Sequence, residues 1–178
     1  MSSGCVLPLW GLTWQAGDEL LIGDAEHYGV VAACRELSRR HGLTIATLPV
    51  TEMLDGSSAA ARLASHPSRP WLLVDAARSL GNIPMAEAAH AADIYACTGH
   101  KWGCGPEGLG AVVLSDRLLA ESSPTLIGWR SLASDSQSAT GFHSDARRFE
   151  VATSCIPLFA GLDTSLQLWR PRGRPRSV

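Results

Sequence analysis

The sequence predicts an α/β fold, a three-layer sandwich around a mostly parallel sheet, and three observations predict it. Short apolar or β-branched runs at 19–23, 43–50, 71–75, 93–98 and 109–114 alternate with stretches of helical spacing, the pattern of strands joined by crossover helices. The run WLLVD at 71–75 is apolar until it ends on Asp75, as a strand buried on both faces does before it reaches the sheet edge where α/β proteins place ligands. The third is composition: 178 residues, 46% hydrophobic, with mean hydropathy +0.06, suit one domain that buries about 70% of its extended-chain surface.

Composition also excludes. A formal net charge of -2 offers no electrostatic case for nucleic acid or an anionic membrane. No apolar run approaches the ~18 residues of a membrane span, and the N-terminus lacks a basic flank with an apolar core. A cytoplasmic location is the default expectation. The five cysteines, Cys5, Cys34, Cys97, Cys104 and Cys155, are an odd number without a secretory signal, so reduced, buried thiols are expected rather than a disulfide framework. Cys97 and Cys104 are too far apart for a close-spaced metal pair, and no second pair completes a zinc pattern. No metal is expected.

Taken in order, Gly17 and Asp18 form a turn before a strand at 19–23. A helix runs from about Glu26 to Arg40, with Val30, Ala33, Cys34 and Leu37 at helical spacing and Gly42 as its stop. LTIATLPV at 43–50 has the β-branched richness of a strand. An alanine-rich helical piece follows at 57–65, then the aspartate strand, a short helix at 84–92, a strand at 93–98, and a return strand at 109–114. Residues 116–121 form the next helix. The polar, glycine-bearing stretch 122–145 reads as a loop, and RPRGRPRSV after Trp169 reads as a disordered tail.

The chemistry centres on Lys101, the one lysine among fifteen Lys and Arg residues. A lysine amine condenses with a carbonyl to form a Schiff base, which a guanidinium cannot do. The plain alternative is an arginine-rich composition that left one surface lysine. Asp75 decides between them: a carboxylate facing a protonated pyridine nitrogen, with a lysine holding the aldehyde, is the arrangement that pyridoxal phosphate requires.

The motifs VDAARS at 74–79, TGHKWGCGPEGLG at 98–110 and RFEVATS at 148–154 resemble the class V aminotransferase family. That fold-type I group holds cysteine desulfurases, carbon–sulfur lyases and isopenicillin N epimerase-like enzymes. The resemblance runs from about Gly4 to Leu168 and implies pyridoxal 5'-phosphate as cofactor, with Lys101 as its Schiff-base lysine and catalytic base. It implies that His27 stacks on the cofactor ring, that Asp75 meets the ring nitrogen, and that Thr98 and His100 bind the phosphate. Thr153 matches the threonine that reaches the phosphate of a neighbouring subunit, so a homodimer is expected. Arg78 stands where the family carries glutamine or histidine near the phenolic oxygen; it either donates to that oxygen or points to solvent.

Residues 1–168 thus match part of the family's cofactor-binding large domain, followed by the tail at 169–178. Between the strand at 43–50 and the aspartate strand, where the family has a further strand and helix, only the short stretch 66–70 separates the alanine-rich piece from Trp71. The family's phosphate-cradling loop lies mostly before the residue matching Gly4, and Val6 stands where asparagine is common. The family's smaller C-terminal domain, with its carboxylate-gripping arginine and sulfur-accepting cysteine, has no match. The expected substrate is an amino acid, foremost a sulfur-containing one cleaved by desulfurase-like or carbon–sulfur lyase chemistry. Epimerisation, transamination and an inactive fragment serving only as a binding or dimerisation partner stay open.

Overall fold

The computed structural model describes residues 2–52, 65–133 and 141–169. The helical piece expected at 57–65 lies outside these residues except for Ser65, as does the tail from 170 onward.

The first βαβ unit forms as expected. Strands β1, Glu19–Gly23, and β2, Thr44–Leu48, pair in parallel with Glu19 opposite Thr44 and Gly23 opposite Leu48. Helix α2, Tyr28–His41, makes the crossover and buries Val30, Cys34 and Leu37, the i, i+4, i+7 stripe of a helix that packs on one face. It starts two residues later than predicted, because His27 caps it: the imidazole Nδ1 accepts from the Gly29 amide at 3.1 Å. Gly42 ends it at φ 71°, and its amide returns to the Ser38 carbonyl.

Three strands form the second unit. β3, Leu73–Asp75, runs parallel to β4, Ile94–Thr98, through helix α3, Ala86–Ala91; β5, Gly110–Leu114, returns antiparallel to β4. Every residue of β4 is buried, as befits a central strand. Helix α4, Asp116–Glu121, follows with Ser115 as its N-cap. No described strand joins β1–β2 to β3–β4–β5, so the sheet is split where the sequence is shorter than its resemblance implies. One core nonetheless spans both pieces: Leu20, Leu37, Leu43, Ile94, Ala96 and Leu118 belong to a single buried cluster.

Two helices are absent from the sequence reading. Helix α1, Ser2–Trp10, lies across that core, burying Cys5, Pro8 and Leu9. Gly4 and Pro8 argue against a helix locally, since Pro8 removes one backbone bond. Burial between α2 and the sheet overrides propensity. Helix α5, Ile156–Leu168, has proline near its start, which the first turn tolerates.

The thiol expectation needs correction. Cys5, Cys34 and Cys97 are buried and all five are free, but Cys104 and Cys155 are exposed. The described parts of the expected loop, residues 122–133 and 141–145, carry more than a plain loop: a helical turn spans Trp129–Ser131, and Leu132 bridges to Phe142. Gly128 and Ser131 anchor this turn. The Ser131 hydroxyl donates to the Glu150 carbonyl at 2.6 Å and accepts from the Gly128 amide at 3.1 Å, so the GWRS and RFEVATS motifs pack directly on one another.

Candidate active site

The site assembles at the C-terminal ends of β3 and β4. Asp75 pairs with Ala96 in the ladder, and the Ala76 amide donates to the Ala96 carbonyl at 2.8 Å, so β3 ends about 5 Å from Ala96 while β4 runs two residues further, to Thr98. The carboxylate of Asp75 is half-buried and accepts from the Ala77 amide at 3.0 Å. That turn-forming bond uses one oxygen and holds the side chain at the strand end.

Two further elements converge there. A Cβ on Gly4 would sit 3.3 Å from the Ala96 side chain, so the first turn of α1 rests on the strand beside Asp75. Burial foremost, and next the nearby Asp75 carboxylate, push the Cys5 thiol up to about 12. A Cβ on Gly29 would lie near both the His27 ring and the Ser2 hydroxyl, which places the α2 N-cap beside the start of α1. His27 is exposed and its ring stacks on Tyr28 with centroids 4.2 Å apart.

Thr98 ends β4, fully buried, and its hydroxyl donates to the Ala77 carbonyl at 3.1 Å. That proton ties the lysine strand to the aspartate turn; a phosphate would receive it only by displacing Ala77. His100 and Lys101 follow on an exposed turn, and neither side chain makes a hydrogen bond or ion pair with a described residue. The turn is closed behind Lys101: its carbonyl accepts from the Cys104 amide at 3.1 Å, and the Gly99 carbonyl from the Gly105 amide at 2.8 Å. Cys104 adopts φ 53°, a left-handed conformation that costs a non-glycine residue about 1–2 kcal/mol.

Arg78 is exposed just past Asp75. Thr153 stands apart, exposed in the segment before α5, and its hydroxyl has no hydrogen-bond partner among the described residues. The structure therefore places Asp75 and Thr98 at the ends of paired strands, with His100 and Lys101 on the turn after β4, which meets the turn after Asp75 where Gly81 approaches the Trp102 carbonyl; His27 caps α2 beside the start of α1. A surface groove of about 620 Å³ instead runs along α2, lined by residues from Glu26 to Arg39. It is an open groove holding none of these groups except His27's neighbours, and chemistry rather than concavity marks the site.

Sequence reasoning missed the residues that hold the lysine turn. Leu80, after the aspartate strand, packs against Gly103, while Leu158, Leu162 and Ser165 of α5 approach the turn from the other side. The close glycine spacing of GHKWGCG was the available signal, since it announces near neighbours without naming them.

Parallel strands joined by crossover helices, with Asp75 at the end of one strand and Lys101 just past the end of its neighbour, define an α/β protein. The family model described as aminotransferase class-V matches residues 58–173, and the chain belongs to that family. A probable cysteine desulfurase of Mycolicibacterium paratuberculosis is 26% identical over 89% of this chain and 27% of its own length. The isopenicillin N epimerase of Streptomyces clavuligerus is 27% identical over 66% of this chain and 38% of its own. Among solved structures, the complex of the cystine C–S lyase C-DES with its reaction product cysteine persulfide superposes with TM-score 0.82, at 34% identity over 94% of this chain and 53% of that one. A variant of C-DES with glycine covalently linked to its pyridoxal phosphate cofactor gives TM-score 0.80. The chain thus spans about half of these structures and a smaller share of the curated relatives. No described helix is long and apolar enough to cross a membrane.

Proposed function

We propose that this chain forms the cofactor-binding part of a pyridoxal 5'-phosphate enzyme that cleaves a carbon–sulfur bond in an amino acid of the cysteine or cystine type. The observation that carries the reading is the placement of Lys101, the sole lysine, on the turn that follows β4, the strand paired with the one that ends at Asp75. The donor set fits the cofactor: an exposed amine for an aldehyde, a half-buried carboxylate for a pyridinium, an exposed imidazole at His27 for the ring face, and His100 to donate to phosphate. When bound, pyridoxal phosphate supplies the electron sink for a carbanion at the substrate Cα.

The chain's own residues do the rest. Lys101 would hold the cofactor through its Nζ, and the same amine, when free, would serve as the base for the substrate Cα proton. Asp75 keeps the ring nitrogen protonated by ion pairing, with its free oxygen turned away from the Ala77 bond. Thr98 fixes the two strand ends relative to each other, and Arg78 offers a guanidinium to the phenolic oxygen. Departure of a sulfur group from Cβ then completes the elimination.

The reading extends to a homodimer in the cytoplasm, in which the unpartnered Thr153 hydroxyl of one protomer reaches its partner's phosphate. The similarity to isopenicillin N epimerase favours a second reading, in which the Cα proton returns on the opposite face. A third, a fragment that only binds or dimerises, draws support from the chain's span of about half the C-DES length.

The test is the visible absorbance of purified protein after adding pyridoxal phosphate and removing the excess, compared with Lys101→Ala. A borohydride-reducible band present only in the wild type, with the adduct mapped to Lys101 by mass, is expected. Release of pyruvate and ammonia, with sulfide from cysteine or with cysteine persulfide from cystine, then marks the lyase, and α-deuterium exchange without elimination marks the epimerase. Absence of the band in folded protein would leave only the binding-partner reading.

A further inference from the structure

Helix α5 grips the turn that carries Lys101. The Leu162 side chain lies 2.8 Å from where a Cβ on Gly99 would stand and 2.6 Å from that of Gly105, so it fills the hollow these two glycines leave on either side of the lysine. One turn further along, the Ser165 hydroxyl donates to the Cys104 carbonyl at 2.8 Å. Gly161 receives Pro106, and Leu158 meets Gly108. At the end of the helix Trp169 reaches Gly81, in the turn after Asp75, and a Cβ there would also press on the Trp102 carbonyl. One helix thus touches both the lysine turn and the aspartate turn.

The need for such a grip is physical. The turn exposes His100, Lys101, Trp102 and Cys104, holds Cys104 in a left-handed conformation, and has two backbone bonds within it and one, from the Gly99 amide to the Leu109 carbonyl, at its base. Exposed segments with few buried contacts open at low free-energy cost, whereas a reactive amine serves only when held within a fraction of an ångström of its working position. Packing from Leu162 and the hydrogen bond from Ser165 supply that order from outside the turn.

We propose that Leu162 and Ser165 are positioning residues for Lys101, acting through Gly99, Gly105 and the Cys104 carbonyl to fix the turn that presents the amine. The proposal rests on the reading of Lys101 as the reactive amine. Ile156, about half a helical turn round from the Leu158, Leu162 and Ser165 side of α5, is 71% exposed and provides a control.

The test compares wild type with Leu162→Ala, Leu162→Met, Ser165→Ala and Ile156→Ala. It reads amide exchange at Gly105 and the rate at which pyridoxal phosphate is captured as a reducible adduct. In Leu162→Ala, exchange at Gly105 is expected to rise about tenfold while exchange in α2 stays unchanged, and capture slows by a similar factor. Ser165→Ala shifts both in the same direction by less, Leu162→Met restores both, and Ile156→Ala changes neither. Faster exchange with undiminished capture overturns the proposal, because the helix would then be only structural support; so does unchanged exchange in both Leu162→Ala and Ser165→Ala. Should Leu162→Ala fail to fold, Ser165→Ala decides by the same two readings. If the wild type captures no cofactor, the functional reading fails separately. The pH profile of acetylation at Lys101, the only lysine to label, then replaces capture, and an unchanged profile in the variants overturns the proposal.

Discussion

The guanidinium of Arg117 closes on the carboxylate of Asp93 through two hydrogen bonds, at 2.5 and 3.2 Å, immediately before the strand that leads to the lysine. Arg117 also donates to the carbonyls of Arg69 and Pro70 and lies over the Trp71 ring at 3.9 Å. Asp93 in turn accepts from the Leu72 amide and the Ser115 hydroxyl. This pair binds the entry of the aspartate strand to the entries of β4 and α4. Removing one member of a buried, hydrogen-bonded ion pair leaves the other uncompensated, so Asp93→Ala is expected to cost about 3 kcal/mol in denaturant unfolding, and Arg117→Lys more than a surface exchange would.

The same pair sets an acid limit. Burial opposes ionisation of Asp93, but hydrogen bonds from Arg117, Ser115 and the Leu72 amide outweigh it and hold the carboxyl below its ordinary value. A carboxyl whose folded value is depressed stabilises the fold fully above its unfolded value of about 3.9 and loses that contribution as pH falls through the folded one. Melting temperature is expected to drop below about pH 4, and less steeply in Asp93→Asn.

Gly128 leaves no room for a side chain. A Cβ there would lie 1.8 Å from the Val151 carbonyl oxygen, which is backbone and cannot swing aside. Gly128→Ala should force the GWRS turn off the 150–154 segment at a cost of about 2 kcal/mol, read as a lowered unfolding midpoint together with faster proteolysis near Trp129.

Arg148 acts as a clasp on four backbone carbonyls, those of Leu119, Ser122, His143 and Ser144. A lysine ammonium lacks the planar fork to reach all four. Arg148→Lys is therefore expected to lose about 2 kcal/mol of stability while leaving cofactor capture at Lys101 unchanged.

Thiol titration should separate the cysteines into two groups. Cys104 and Cys155 are exposed and react promptly with a disulfide reagent in native protein. Cys5 and Cys34, whose thiols burial pushes up, and buried Cys97 react only on unfolding. Prompt reaction of Cys5 would contradict the placement of α1 over the core.

How much was legible divides along physical lines. The strands, the crossover helix with its Val30, Cys34 and Leu37 stripe, and the position of Asp75 at a strand end follow from periodicity and turn residues, because local hydrophobic spacing determines which face a segment buries. The chemical singularity of Lys101 is likewise a property of the sequence. Helix α1 was not legible, since Gly4 and Pro8 oppose it and only burial against Ala96 and α2 makes it favourable. The lysine turn could be seen, but not what holds it: Leu162 lies some sixty residues on, and a long-range contact leaves no mark in local pattern. Tertiary structure alone decided that the Thr98 hydroxyl is spent on Ala77 and that Arg148 serves carbonyls. It decided too that the described sheet is split in two, because hydrogen bonds go to whichever partner the packed chain brings within reach.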